Sequence, residues 1–274
     1  MTLILSLLLS FQAAVTPEPR VARRELPRIV ANENRRSAGE LRDGVLTVHL
    51  VAQDGLLFPD GETGNSIALQ AFGEEGKAPM SSAPLIRVRA GTELRITLRN
   101  TLAMPLLVRG LYDGAASAPD SVDIAPNAVR ELRFRASVPG TYFYWGRTTG
   151  TRQGIGSGED GQLLGAFIVD APTGSDEAAS DRVMVMNAWF KPNDARKLTI
   201  KQSEILTVNG RSWPFTERLG YTVGDTIRWR VINGSFIWHP MHLHGFYYRV
   251  DSRGDGLTDT VYAEKQQRMV SPTV

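Results

Sequence analysis

From Val45 onward the chain is built of short runs in which hydrophobic and polar residues alternate. In "ELRITLRN", Leu94, Ile96 and Leu98 fall on one side and Arg95 and Arg99 on the other, and "RELRFRA" sets Leu132 and Phe134 against Arg133 and Arg135. A period of two is the signature of a half-buried β-strand. Similar runs are "VLTVHLVAQ", "LIRVRAGTELRITLRN", "VRELRFRASVPGTYFYW" and "GQLLGAFIVD", then, beyond the small polar stretch "APTGSDEAASD", "RVMVMNAWF", "ILTVNGRSWPF", "YTVGDTIRWRVING" and "HLHGFYYRV". Nothing comparable supports an amphipathic helix, so the expected class is all-β.

The two blocks echo each other. "LIRVRAGTELRITLRNTL" is matched in layout by "LGYTVGDTIRWRVINGS", each with a glycine turn and a strand ending in Asn. The simplest account is two β-sandwich domains, residues 41–171 and 182–274, joined by a linker at 172–181. Residues 15–40, charged and punctuated by proline, read as an extended arm with no core of its own. No strand is assigned after Val250, so the second sandwich is expected to be incomplete and the chain truncated. At residues 1–14 an apolar run closes on Ala13 and Ala14, the layout of a cleavable export signal, although no Lys or Arg precedes it. A misassigned start or a buried strand are the alternatives. The run is shorter than the roughly 20 residues of a spanning helix, so the expected location is secreted or periplasmic, with no stable membrane span after cleavage.

Composition narrows the chemistry. The 31 Lys and Arg against 29 Asp and Glu are spread along the chain, which leaves no basic stripe for a nucleic acid. The absence of cysteine excludes disulfides, thiol nucleophiles and any metal site needing a thiolate. Three of the four histidines crowd into "WHPMHLHGFYYRV". On a strand His242 and His244 share one face, while His239, before Pro240, can point elsewhere. Three imidazoles in six residues suit a metal; hydrogen-bonded histidines, or a cluster taking adventitious metal, are the alternative. His49, in "VLTVHLV", reads as structural, and Met184 and Met186 as core residues of an alternating strand before a soft-metal stripe. The Gly-rich "TRQGIGSGEDGQLLGA" lacks the Lys-Ser/Thr ending of a phosphate loop and reads as a mobile loop. "RGDG" reads as a tight turn.

"HPMHLHG" preceded by "GDTIRWRVING" resembles the multicopper oxidases, laccase-like enzymes of cupredoxin domains, and "PLIRVRAGTELRITLRNTL", "DIAPNAVRELRFRA" and "PGTYFYW" resemble their first domain. The resemblance implies two cupredoxin-like Greek-key sandwiches with copper as cofactor. It implies His239 as a ligand of a type 1 copper, and His242 and His244 as ligands of a trinuclear oxygen-reducing cluster. It also implies two His-x-His pairs in the first block. Those positions hold Leu107 and Arg109, then Trp145 and Arg147, which cannot replace imidazole. Trp145 could fill volume that a copper shell would take, and Arg109 and Arg147 could form an anion site there. The resemblance therefore suggests a laccase-like copper oxidoreductase, using a small-molecule or metal-ion reductant, whose ligand set is incomplete in this chain. The alternative is a non-catalytic degenerate cupredoxin module that binds copper or a protein partner. A homo-oligomer is open, but identical subunits bring neither cysteine nor the missing histidines.

Overall fold

The structure is a computed structural model that describes residues 25–114, 121–149, 158–173, 181–190, 204–235, 238–254, 259–262 and 268–270. The first block contains β1 (Arg28–Ala31), β2 (Glu40–Arg42), β3 (Val45–Leu57), β4 (Ile67–Glu74), β5 (Met80–Ser81) and β6 (Ala83–Arg89). It continues with β7 (Glu93–Asn100), β8 (Leu106–Arg109), β9 (Ser121–Ile124), β10 (Val129–Arg135), β11 (Gly140–Arg147) and β12 (Leu164–Asp170). One sheet runs β10-β7-β3-β1-β5, with β2 and β4 also paired to β3, and the facing sheet runs β6-β12-β11-β8-β9. Among the described residues the helical content is one 3-10 turn, Glu159–Gly161.

Alternation becomes burial where the two sheets face each other. Leu94, Ile96 and Leu98 of β7 and Val48 and Leu50 of β3 meet Tyr144 of β11 and Phe167 and Val169 of β12, while Arg95 and Arg99 turn outward. Tyr144, fully buried, donates its hydroxyl to the Pro84 carbonyl oxygen at 2.6 Å, so the polar end of the ring is satisfied.

The second block contributes β13 (Asp181–Phe190), β14 (Glu204–Val208) and β15 (Arg228–Asn233), ordered β14-β13-β15. Shorter pairs follow: β16 (Tyr248–Val250) with β19 (Arg268–Val270), and β17 (Ser252–Gly254) with β18 (Asp259–Val261). Val183, Val185 and Ile232 of this block pack against Leu85, Leu164, Ala166 and Ile168, on the outer face of the β6-β12-β11 sheet. That arrangement explains β12. Its odd residues enter the first core and its even residues the second, so the run "LGAFIV" is buried on both faces and reads as continuously apolar.

Several expectations are revised. The arm is not free of the core, because β1 pairs with β3 and β5 and its Ile29 is buried beside Leu57 and Leu69. Asp181, placed in the linker, begins β13 and is buried. Met184 and Met186 are half-buried on the face of β13 opposite the buried Val183 and Val185. Strands do follow Val250, namely β17, β18 and β19. "HLHGFYYRV" is strand only over Tyr248–Val250, and "GYTVGD" has no strand before β15. Arg253 and Gly254 of "RGDG" lie in β17, which pairs with β18, and residues 255–258 lie outside the described residues. The export signal and most of the Gly-rich loop also lie outside them.

Candidate functional site

The layer between the blocks is an apolar seam with arginines at both ends, and the alternation on each strand puts them there. On β11, Phe143 and Trp145 pack on the seam, with Thr141 before them and Arg147 after them on the same face. Arg87 follows Leu85, Asp170 follows Ile168, Asp181 precedes Val183, and Arg230 precedes Ile232, each two residues from a seam residue.

At the Thr141 end these charges close a network. Arg87 donates Nε and Nη2 to the two oxygens of Asp170 at 2.7 and 2.9 Å, and Nη1 and Nη2 to those of Asp181 at 2.7 and 3.0 Å. Arg230 donates to Asp181 at 2.7 Å and to the Thr141 hydroxyl at 2.8 Å. Burial alone would raise the Asp181 carboxyl, but hydrogen bonds from Arg87 and Arg230, and then their charges, outweigh it and hold the carboxyl below its ordinary value. For Arg87 burial works against the charge, and the bonds to Asp170 and Asp181 more than restore it. Sequence reasoning missed this network. Its signal was a charge at an inward position of an apolar alternation, as in "PLIRVR".

Nearby, Asn209 accepts from the Val185 N–H at 2.9 Å and donates to the Val183 carbonyl at 3.0 Å, while Asn34 of the first block donates to it at 3.0 Å. Gly210 follows at φ +86°, and any side chain there would collide with the Ser81 carbonyl, so glycine lets the turn touch the first block.

At the Arg147 end the four first-block positions of interest come together. In the β8–β11 register Arg109 lies opposite Trp145 and Leu107 opposite Arg147, and all four side chains share the outer face of the sheet. The guanidinium carbons of Arg109 and Arg147 lie 5.7 and 5.1 Å from the Trp145 ring centroid. Arg147 is 7% exposed.

The histidines occupy a different setting. Residues 238–247 form a loop outside any strand, in which His242 and His244 are exposed and their rings meet edge to face at 4.6 Å. The two rings are adjacent, then, although no strand aligns them. His239, half-buried, shares a 2.7 Å hydrogen bond through Nε2 with the Ser235 hydroxyl. The loop is tied to β16 by the Tyr248 hydroxyl, which donates to the Met241 carbonyl at 2.8 Å. His49 is exposed on β3. Among the described residues no group of three or more His, Asp and Glu side chains stands together as a metal cage.

These residues do not fit a trinuclear copper cluster. Leu107 and Trp145 offer no lone pair, Arg109 and Arg147 bring positive charge, and the missing thiolate removes a blue site from this chain taken alone. The pair His242 and His244 fits a simpler role, as two imidazoles open to solvent and able to hold one copper ion.

A sequence pattern described as multicopper oxidase matches residues 187–273. A curated relative, a probable nitrite reductase-hydroxylamine oxidoreductase fusion protein of Kuenenia stuttgartiensis, is 30% identical over 203 residues, 68% of this chain. The chain spans only 23% of that relative's length. Among solved structures, one multicopper oxidase superposes with TM-score 0.59 at 22% identity, covering 88% of this chain and 87% of its own. The blue copper oxidase of Nitrosomonas europaea superposes with TM-score 0.58 at 19% identity, covering 82% and 72%. The copper-containing nitrite reductase of Thermus scotoductus superposes with TM-score 0.55 at 18% identity, covering 83% and 52%. These structures share the all-β cupredoxin fold with this chain, and the match over 187–273 places that segment in the multicopper oxidase family.

Proposed function

We propose that this chain is a copper-binding member of the multicopper oxidase family, laccase-like by lineage, in which copper is taken by the adjacent pair His242 and His244, with His239 in the same loop, and the first block supplies no ligand. One observation carries the reading: Leu107, Arg109, Trp145 and Arg147 share one face at the positions where the resemblance calls for four histidines. A cluster short of four imidazoles has no route to four-electron reduction of dioxygen, so the chain alone binds copper without oxidase turnover. Its location is secreted or periplasmic, and any reductant is a small molecule or metal ion. Among the described residues no helix is long and apolar enough to cross a membrane.

The test is a copper titration of the purified full chain, followed by electron paramagnetic resonance and visible absorption. The expected spectrum is that of imidazole-bound Cu²⁺ with no intense thiolate-to-copper band, lost in the double variant His242→Ala, His244→Ala. Dioxygen uptake with a phenolic reductant, or copper bound equally well without the three histidines, would sink the proposal.

A non-catalytic module that docks a protein partner is the second reading. It is favoured by large apolar side chains left in solvent in the second block: Trp213 at 84% exposure, Trp238 at 91% and Phe246 at 66%.

A further inference from the structure

The guanidinium of Arg147 is a buried charge for which the described structure supplies no counter-charge. Its Nε and Nη2 are buried and make no hydrogen bond. Arginine stays protonated at any pH a protein experiences, so it cannot escape burial by losing its proton. Buried charges persist in folded proteins where they are paired or bind something.

The geometry of the unspent donors is informative. Nε–H and one N–H of Nη2 lie on the same edge of the planar group and point in parallel, the donor pair that receives the two oxygens of a carboxylate or another planar oxyanion. The other end of the seam shows this edge in use. Arg87 spends the same two nitrogens, Nε and Nη2, on the two oxygens of Asp170. At the Arg147 end a second cation, Arg109, stands over the same Trp145 ring, and no described acid forms an ion pair with either arginine.

The surroundings agree. Leu107, opposite Arg147, is apolar and competes for no donor. The Gly146 N–H donates to the Leu163 carbonyl at 2.6 Å, so the residue before Arg147 is bonded to the residue after Gln162. The Gln162 amide nitrogen is buried and also unspent. The buried acid nearest along the chain, Asp160, accepts through Oδ2 from the Thr148 and Thr149 N–H groups at 3.2 and 3.3 Å and from the Thr149 hydroxyl at 2.8 Å. Its Oδ1 is buried without a hydrogen bond, and it forms no ion pair with Arg147.

We propose that Arg147 and Arg109, set around Trp145, form a binding site for a small planar oxyanion of the carboxylate or nitrate class on the face that the first block turns to the second. Arg147 takes two oxygens side-on, Arg109 adds charge, and Trp145 walls the site. The site needs no copper, so its failure and the failure of the copper reading are separate.

The experiment is a titration of the full chain, with chelator present, using sodium acetate and then sodium nitrate against sodium chloride at matched ionic strength. Melting temperature and tryptophan fluorescence are the readouts. Saturable stabilisation by acetate or nitrate over chloride is expected, with a fluorescence change that Trp145→Phe removes. Arg147→Gln should weaken binding about tenfold or more, and Arg147→Lys, which keeps the charge but loses the paired edge, should not restore it. If Arg147→Gln fails to fold, Arg109→Gln replaces it, with weaker binding expected. Equal responses to all three salts, or unchanged affinity in the arginine variants, overturn the proposal. So does binding that appears only in Asp160→Asn, since Asp160 would then be the resident partner of Arg147.

Discussion

The two ends of the inter-block seam use the same residue to opposite effect. At the Thr141 end, Arg87 and Arg230 are matched by Asp170 and Asp181, and the side chains of Arg87 and Asp181 are only 9% and 3% exposed. At the other end Arg109 and Arg147 flank Trp145, with no acid paired to either among the described residues. The first pair of arginines holds the blocks together, whereas the second leaves charge unspent where it can act on a ligand. Burial of an arginine therefore says little until its partners are counted.

The contrast is most strongly tested by removing a carboxylate from the paired end. Asp181→Ala leaves two guanidiniums short of a partner, and breaking a buried pair in this way costs about 3–5 kcal/mol. Denaturant unfolding should show it directly. The pH dependence has a definite sign. The folded Asp181 carboxyl lies below its ordinary value, so its contribution is complete above the unfolded pKa of about 3.9 and disappears as pH falls through the lower folded value. Acid unfolding monitored from pH 6 to about pH 2 should therefore be blunted in Asp181→Asn.

A smaller loss is expected in the middle of the seam. Ile168 is 0% exposed between the blocks, and Ile168→Ala should destabilise by about 2–4 kcal/mol, read from the shift in the denaturant midpoint.

The smallest effect has the opposite sign. Arg147→Met removes an unpaired buried charge and keeps most of the side-chain volume, so in buffer free of carboxylate and nitrate it should stabilise by about 1 kcal/mol. A loss of several kcal/mol on the same melts would show that Arg147 is held by structure like Arg87, and the contrast between the two ends would fall.

Much of the fold could be read from alternation, because period two survives wherever one face of a strand is covered. β7 and β10 follow it residue by residue, and the unbroken apolar run of β12 is what double coverage produces. Other features left no such trace. In β13 both faces are apolar, and a period of two separates Val183 and Val185 from Met184 and Met186 without saying which pair points inward. β1 is short and lies in charged, proline-rich surroundings, with Ile29 its one buried side chain. The seam network joins residues 83 and 94 positions apart, a distance over which sequence carries no pairing signal. Leu107, Arg109, Trp145 and Arg147 were legible as positions of interest, while their meeting on one face came from the β8–β11 register.

The double coverage of β12 also bears on the order of folding. The second core takes Leu85, Leu164, Ala166 and Ile168 from the first block, so until that block has assembled, Val183, Val185 and Ile232 have no surface to close against. Synthesis from the N-terminus delivers the template before the part that needs it. Expressed without the first block, the second would lack half of its nucleus, and the wall that β12 provides is one that neither side can build alone.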